Sequence, residues 1–60
     1  MKRHRIGVDL GGTKTEIGVL GPDGALRLRR RIATPPGYRA ALLAIATLVR
    51  EAEQELGIAA

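Results

Sequence analysis

Residues 7–20 read GVDLGGTKTEIGVL and consist of two apolar runs on either side of a glycine pair. Residues 6–10 and 15–20 are short and rich in β-branched side chains, which is typical of strands. Because Gly-Gly is a common hairpin turn, the stretch predicts a β-hairpin. The nearly continuous apolar character of residues 15–20 predicts that the second strand is buried on both faces.

The rest of the sequence predicts a third strand and one helix. Residues 21–24, Gly-Pro-Asp-Gly, form a strong turn signal. Residues 25–33 then alternate, with Leu26, Leu28 and Ile32 on one face and arginines on the other, which predicts a strand at or near a sheet edge. Gly57 is suited to end the helix that follows. That helix is indicated by an apolar stripe at helical spacing, formed by Tyr38, Ala41, Leu42, Ile45, Leu48, Val49, Ala52 and Leu56. The predicted fold class is α/β, with the order β-β-β-α.

The chain is small and poor in the residues that stabilise small domains. It has 60 residues, one aromatic side chain and no cysteine. A chain of this size buries only about 60% of the surface that it exposes when unfolded. We therefore expect residues 1–60 to be the first part of a larger α/β domain, with the rest of that domain and a second domain absent.

The charge pattern argues against a nucleic acid partner. The formal net charge is +4, but the basic residues concentrate in residues 2–5 and 27–31 without aromatic residues between them. This predicts a solvated tail, which includes His4, and a solvated strand face. A stand-alone nucleic-acid-binding module remains a third hypothesis.

No apolar segment of signal-peptide or transmembrane length follows the basic start. We therefore expect a cytoplasmic protein without a membrane partner.

The predicted hairpin turn contains more polar and charged side chains than a turn requires. The Rossmann pattern is absent, and the P-loop pattern fails because residues 15–20 continue as a strand and not as a helix. Gly11 and Gly12 can instead present backbone N–H groups to an anion, with Thr13 and Lys14 adding a hydroxyl and a positive charge. A carboxylate at Asp9 fits such a site if Mg²⁺ lies between it and a polyphosphate. The alternative is an ordinary hairpin turn with a capping Asp9 and a solvated Lys14.

The same stretch resembles the first phosphate motif of the actin-like ATPase superfamily, specifically of ROK-family bacterial sugar kinases. GGTKTE, ATPPGYRA and IATLV are most similar to the fructokinase branch. The resemblance implies the β-β-β-α portion of a ribonuclease H-like domain. It further implies that Gly11, Gly12, Thr13 and Lys14 contact the ATP phosphates and that Asp9 binds Mg²⁺, directly or through water. Glu16 matches the fructokinase-like variant, with no role beyond bracing the hairpin.

The function implied by this resemblance is ATP-dependent phosphorylation of a hexose, with fructose favoured, by a homodimeric full-length protein. The catalytic aspartate, the sugar-binding residues and a structural Zn²⁺ motif are expected beyond residue 60, so the segment alone should be inactive. A non-enzymatic sugar or nucleotide sensor of the same family is the alternative. The family's transcriptional repressors place a DNA-binding domain before this fold, and the five residues before the first predicted strand are too few for one.

Overall fold

Three antiparallel strands form a sheet in the order β1-β2-β3 in the computed structural model, which describes residues 3–58. The strands are β1 (Arg5–Leu10), β2 (Lys14–Leu20) and β3 (Leu26–Ala33), and they precede the helix α1 (Tyr38–Leu56). The predicted β-β-β-α order is confirmed, and the element bounds agree within one residue. Within the described residues, β3 lies at an edge of the sheet, as predicted.

The core lies between α1 and one face of the sheet. Ile17 and Val19 of β2 are fully buried, and they pack with Leu28, Leu48 and Ala52. On the opposite face of β2, Lys14 is exposed and Glu16 and Leu20 are only half-buried. The prediction that β2 is buried on both faces is therefore wrong for the described residues, because a helix covers one face only. We refer to the other face as the outer face.

A β-bulge alters the predicted pattern of β3. Val19 pairs with Leu28, whereas Leu20 pairs with Leu26, so that Arg27 is an extra residue between the two pairs. The bulge moves Leu26 to the outer face, where it is 57% exposed and lies over Gly18. The prediction that Leu26 shares the core face is wrong, because one extra residue reverses the alternation of side chains.

The helix packs mainly through its second half. Leu48, Ala52 and Leu56 contact the core cluster, and Gly57 ends the helix with a φ of 67°. The Ile58 N–H donates to the Glu53 carbonyl at 2.9 Å, which is the Schellman pattern. In the first half, Tyr38 and Leu42 are exposed, contrary to the prediction for the apolar stripe. Ala41 of the same stripe is buried, as predicted, but it does not belong to the core cluster.

The arginines of residues 27–31 pair with carboxylates on three elements of the structure. Arg27 pairs with Asp23 of the turn between β2 and β3. Arg30 lies on the helix side of β3 and donates to both carboxylate oxygens of Glu55 of α1, at 2.6 and 2.8 Å. Arg29 and Arg31 both pair with the carboxylate of Glu16 of β2. The basic run thus joins β3 to its neighbours.

Two further predictions concern the start of the chain and the membrane. Lys2, part of the predicted basic tail, lies outside the described residues. His4 is half-buried, although the sequence predicts an exposed position for it. Within residues 3–58, no helix has the length and apolarity needed to cross a bilayer.

Candidate functional site

The β1–β2 turn brings the predicted site residues together. The last register pair of the hairpin joins Leu10 to Thr15, and the Gly11 N–H donates to the Lys14 carbonyl at 3.0 Å. This bond closes a tight turn, which places all five predicted residues at one end of the sheet. They are Asp9, Gly11, Gly12, Thr13 and Lys14. All of them except Gly11 are exposed. We call residues 11–14 the glycine turn.

The two glycines meet different constraints. A Cβ atom at Gly11 would lie 2.9 Å from the Lys14 carbonyl oxygen, which is too close for any other residue without a backbone shift. A Cβ atom at Gly12 would meet nothing within 4 Å. Neither glycine has a positive φ. The fold therefore requires the absence of a side chain at Gly11 but leaves open space at Gly12.

Asp9 and Glu16 lie opposite each other on the outer face of the sheet. Two like charges in this relation repel each other. The carboxylate of Glu16, however, forms ion pairs with Arg29 and with Arg31, the latter at 3.3 Å. The carboxylate of Asp9 has no ion pair or hydrogen bond within residues 3–58. Of the two acids, Asp9 is thus the one available to a ligand.

The surroundings of Asp9 are open and partly without side chains. Gly7 and Gly18 pair across the hairpin beside Asp9 and Glu16. Together with Arg29 they line an outer-face cleft of about 550 Å³. Leu26 lies over Gly18, but a Cβ atom at Gly7 would meet nothing within 4 Å, so the cleft is open at Gly7. The cleft gives a ligand access to Asp9 from the outer face.

A metal ion at Asp9 would depend on ligands from elsewhere. No cluster of three or more metal-ligating side chains occurs in the described part of the chain. Mg²⁺ suits such a site, since it is commonly held by one or two carboxylates, waters and the phosphates of a substrate. The unpaired carboxylate of Asp9 fits this donor set, and the exposed ammonium group of Lys14 suits the phosphates.

The ion pairs of Glu16 shift its protonation. The pKa of Glu16 is lowered from its ordinary value, first by the hydrogen bond from Arg29 and further by the charges of Arg29 and Arg31, although partial burial acts in the opposite direction. The same hydrogen bond raises the pKa of Arg29. Glu16 therefore stays ionised at neutral pH and holds β2 to β3 on the outer face. Glu16 therefore has a bracing role, but between β2 and β3 and not within the predicted β1–β2 hairpin.

The ion pairs that Glu16 forms with Arg29 and Arg31 predict that the stability lost in a Glu16→Gln variant depends on pH. A carboxyl group whose pKa is lowered by folding contributes stability above its unfolded pKa and loses it as the pH falls through the folded pKa. We expect the free energy of unfolding to differ between the wild type and Glu16→Gln by a constant amount above about pH 5. The difference should shrink below about pH 4, near the ordinary glutamate value of about 4.3. Denaturant unfolding at a series of pH values measures it, and a difference that grows on acidification contradicts the brace.

One residue of the site was not predicted from the sequence. Thr34, immediately after β3, donates its backbone N–H to the Thr13 carbonyl at 2.9 Å and its hydroxyl to the Gly11 carbonyl at 2.8 Å. Its hydroxyl also lies 2.8 Å from that of Thr15, which is 1% exposed. Contacts across 19 to 23 positions have no spacing signal in a sequence. Only the register of the three strands brings Thr34 to the turn.

The chain is similar in sequence to known proteins of one family. The model of a family described as the ROK family matches residues 5–60. Over 53 residues the chain is 43% identical to N-acetyl-D-glucosamine kinases of Citrobacter koseri and Salmonella gallinarum. It is 42% identical to the kinase of the same name from Salmonella newport. Each alignment covers 87% of this chain and 18% of the relative, so the chain corresponds to a small part of each curated relative's length.

Proposed function

Because the chain belongs to the ROK family, we propose that it forms the first phosphate-binding turn of an ATP-dependent sugar kinase. The observation that carries this proposal is the glycine turn, where an unpaired Asp9 carboxylate, an open Gly12 and an exposed Lys14 lie at one end of the sheet. We further propose that residues 1–60 are the beginning of the first of two domains. The homodimeric state of the full-length protein stays a prediction.

The chemistry required of this segment is positioning and charge neutralisation. In the proposed reaction the γ-phosphoryl group of ATP passes to a sugar hydroxyl, which loses its proton, and ADP leaves. The backbone N–H of Gly12 and the ammonium group of Lys14 would contact phosphate oxygens. The Gly11 N–H, which the sequence also predicts to face the anion, is instead bonded to the Lys14 carbonyl. Asp9 would hold Mg²⁺, directly or through water, and the bound ion would neutralise phosphate charge. A base for the sugar hydroxyl is expected beyond residue 60.

The sugar is proposed from the relatives. The curated proteins reported above are N-acetyl-D-glucosamine kinases, which makes N-acetyl-D-glucosamine the first candidate. The resemblance of GGTKTE to the fructokinase branch makes fructose the second. Neither assignment rests on a residue that contacts sugar, and the comparisons support the family and the kinase class but not the fructokinase branch.

A coupled assay for ADP release by the full-length protein tests the proposal. Mg·ATP is supplied with N-acetyl-D-glucosamine, fructose, mannose or glucose, and a reaction without sugar gives the ATPase background. We expect sugar-dependent turnover, with kcat/KM for N-acetyl-D-glucosamine at least about tenfold above that for fructose, a difference of about 1.4 kcal/mol in transition-state stabilisation.

The outcomes of this assay separate the hypotheses. Preference for fructose supports the kinase but reverses the choice of sugar, and preference for mannose or glucose rejects both assignments while retaining the kinase. A folded full-length protein that binds Mg·ATP and sugar without turnover contradicts the kinase, and it favours a sensor that has kept the glycine turn for ligand binding.

A further inference from the structure

A chain of hydrogen bonds leads from the core to the glycine turn. Its members are the hydroxyl of Thr15, the hydroxyl of Thr34 and the carbonyl of Gly11, and both steps measure 2.8 Å. The chain begins in the buried layer, since Thr15 is 1% exposed. It ends on the backbone of the turn that carries the proposed phosphate site.

The direction of this chain follows from the number of protons. The Gly11 carbonyl can only accept a hydrogen bond, so the single hydroxyl proton of Thr34 is committed to it. Thr34 must therefore accept from Thr15, whose proton lies between the two hydroxyls. Both protons then have one orientation each, and the network holds the Gly11 carbonyl in one direction.

Fixing the Gly11 carbonyl also fixes the next amide. A trans peptide is planar, and it places the C=O of one residue and the N–H of the next on opposite sides. The Gly11 carbonyl faces the Thr34 hydroxyl, so the Gly12 N–H is directed away from Thr34. Gly12 makes no hydrogen bond within residues 3–58, and the space beside it is open. Its N–H is thus a free, oriented donor.

From this geometry, and resting on the proposed function, we infer that Thr34 is a positioning residue for phosphate binding. Its hydroxyl joins the buried Thr15 to the Gly11 carbonyl and so aims the Gly12 N–H at the phosphates of Mg·ATP. Its backbone N–H, bonded to the Thr13 carbonyl, fixes the other end of the same turn. Thr34 itself touches no phosphate in this arrangement.

Substitutions in the full-length protein test the inference. Thr34→Val removes the hydroxyl while keeping the shape and the backbone bond, and Thr34→Ser restores the hydroxyl. Thr47→Val is the matched control, because Thr47 donates to the Leu43 carbonyl at 3.0 Å on the exposed surface of α1. The dissociation constants of Mg·ATP, adenosine and sugar are measured for each variant, together with the amide NMR signals of the glycine turn in nucleotide-free protein.

We expect Thr34→Val to weaken Mg·ATP binding about tenfold, the size of effect expected from unpaired buried polar groups. Adenosine and sugar affinity should change less than about twofold, because neither ligand carries a phosphate group that could bind the turn. The Gly12 amide signal should shift or broaden. Thr34→Ser should recover wild-type affinity, and Thr47→Val should keep it.

Each contrary result has its own meaning. Wild-type Mg·ATP affinity in Thr34→Val overturns the inference, as does an equal loss of affinity for all three ligands, which would show a general effect on folding. Failure of the wild-type protein to bind Mg·ATP overturns the proposed function, and with it the phosphate role of Thr34. These results are distinguished by the wild-type measurement.

Discussion

Asp9→Asn in the full-length protein is expected to lower kcat by roughly a hundredfold to a thousandfold, the range seen when one preorganised electrostatic group is removed from an active site. Asparagine keeps the size of the side chain but removes the negative charge proposed to hold Mg²⁺. Since Asp9 is exposed, has no partner among the described residues and lies opposite Glu16, the substitution should not lower the melting temperature. Steady-state kinetics over a range of Mg²⁺ concentrations measures the effect.

The control for this substitution is Asp23→Asn, the same chemical change at the other end of β2. Asp23 accepts a hydrogen bond from the Ala25 N–H at 3.1 Å and pairs with Arg27 at 3.0 Å, so it serves the β2–β3 turn. We expect Asp23→Asn to keep kcat within about twofold, less than about 0.4 kcal/mol in the activation barrier. Wild-type turnover in Asp9→Asn at limiting Mg²⁺ rules out the metal role.

The second large effect is expected from replacing the two glycines separately. Gly12→Ala should fold normally, because its Cβ atom meets nothing within 4 Å and its φ is not positive. It should nevertheless lower kcat/KM for ATP by about a hundredfold, the effect of a misplacement of about 1 Å in a reacting complex. The added methyl group would occupy space that the phosphates require.

Gly11→Ala should instead act on the fold. Its Cβ atom would lie 2.9 Å from the Lys14 carbonyl oxygen, and such overpacking costs about 1–3 kcal/mol. Thermal unfolding and the dissociation constant of Mg·ATP, measured side by side, separate the two variants. Equal losses of stability, or unaltered ATP binding in Gly12→Ala, would contradict a phosphate site at Gly12.

The elements of the fold could be predicted because each has a local signal. The hairpin follows from two β-branched runs around Gly-Gly, and the end of α1 follows from Gly57. The burial of individual side chains was harder to predict. Tyr38 and Leu42 fit the helical period but are exposed, because period alone does not indicate how far along a helix the sheet extends. The bulge at Arg27 likewise has no local signal in an alternating strand.

The candidate site also contains residues that a local sequence signal predicts and residues that it does not. Asp9 and the glycine turn are contiguous in sequence, so a short motif predicts that they lie together. Thr34 belongs to the same site through a contact that spans 23 positions, and that contact requires both hairpins to be in register. The pairing of Glu16 with two arginines of β3 is also nonlocal. Short sequence motifs can identify the groups that meet a ligand more readily than those that orient them.

The two edge strands of the sheet, β1 and β3, differ in how readily a further strand could pair with them. The β3 edge carries a row of arginines, and charge of this kind discourages the addition of a further chain. The β1 edge lies beside Val8 and Leu10, which are 46% and 49% exposed on the helix side. Its backbone can accept a parallel or antiparallel neighbour, and its apolar side chains would gain burial from one. The sheet is therefore asymmetric: a further strand is disfavoured at the β3 edge and favoured at the β1 edge.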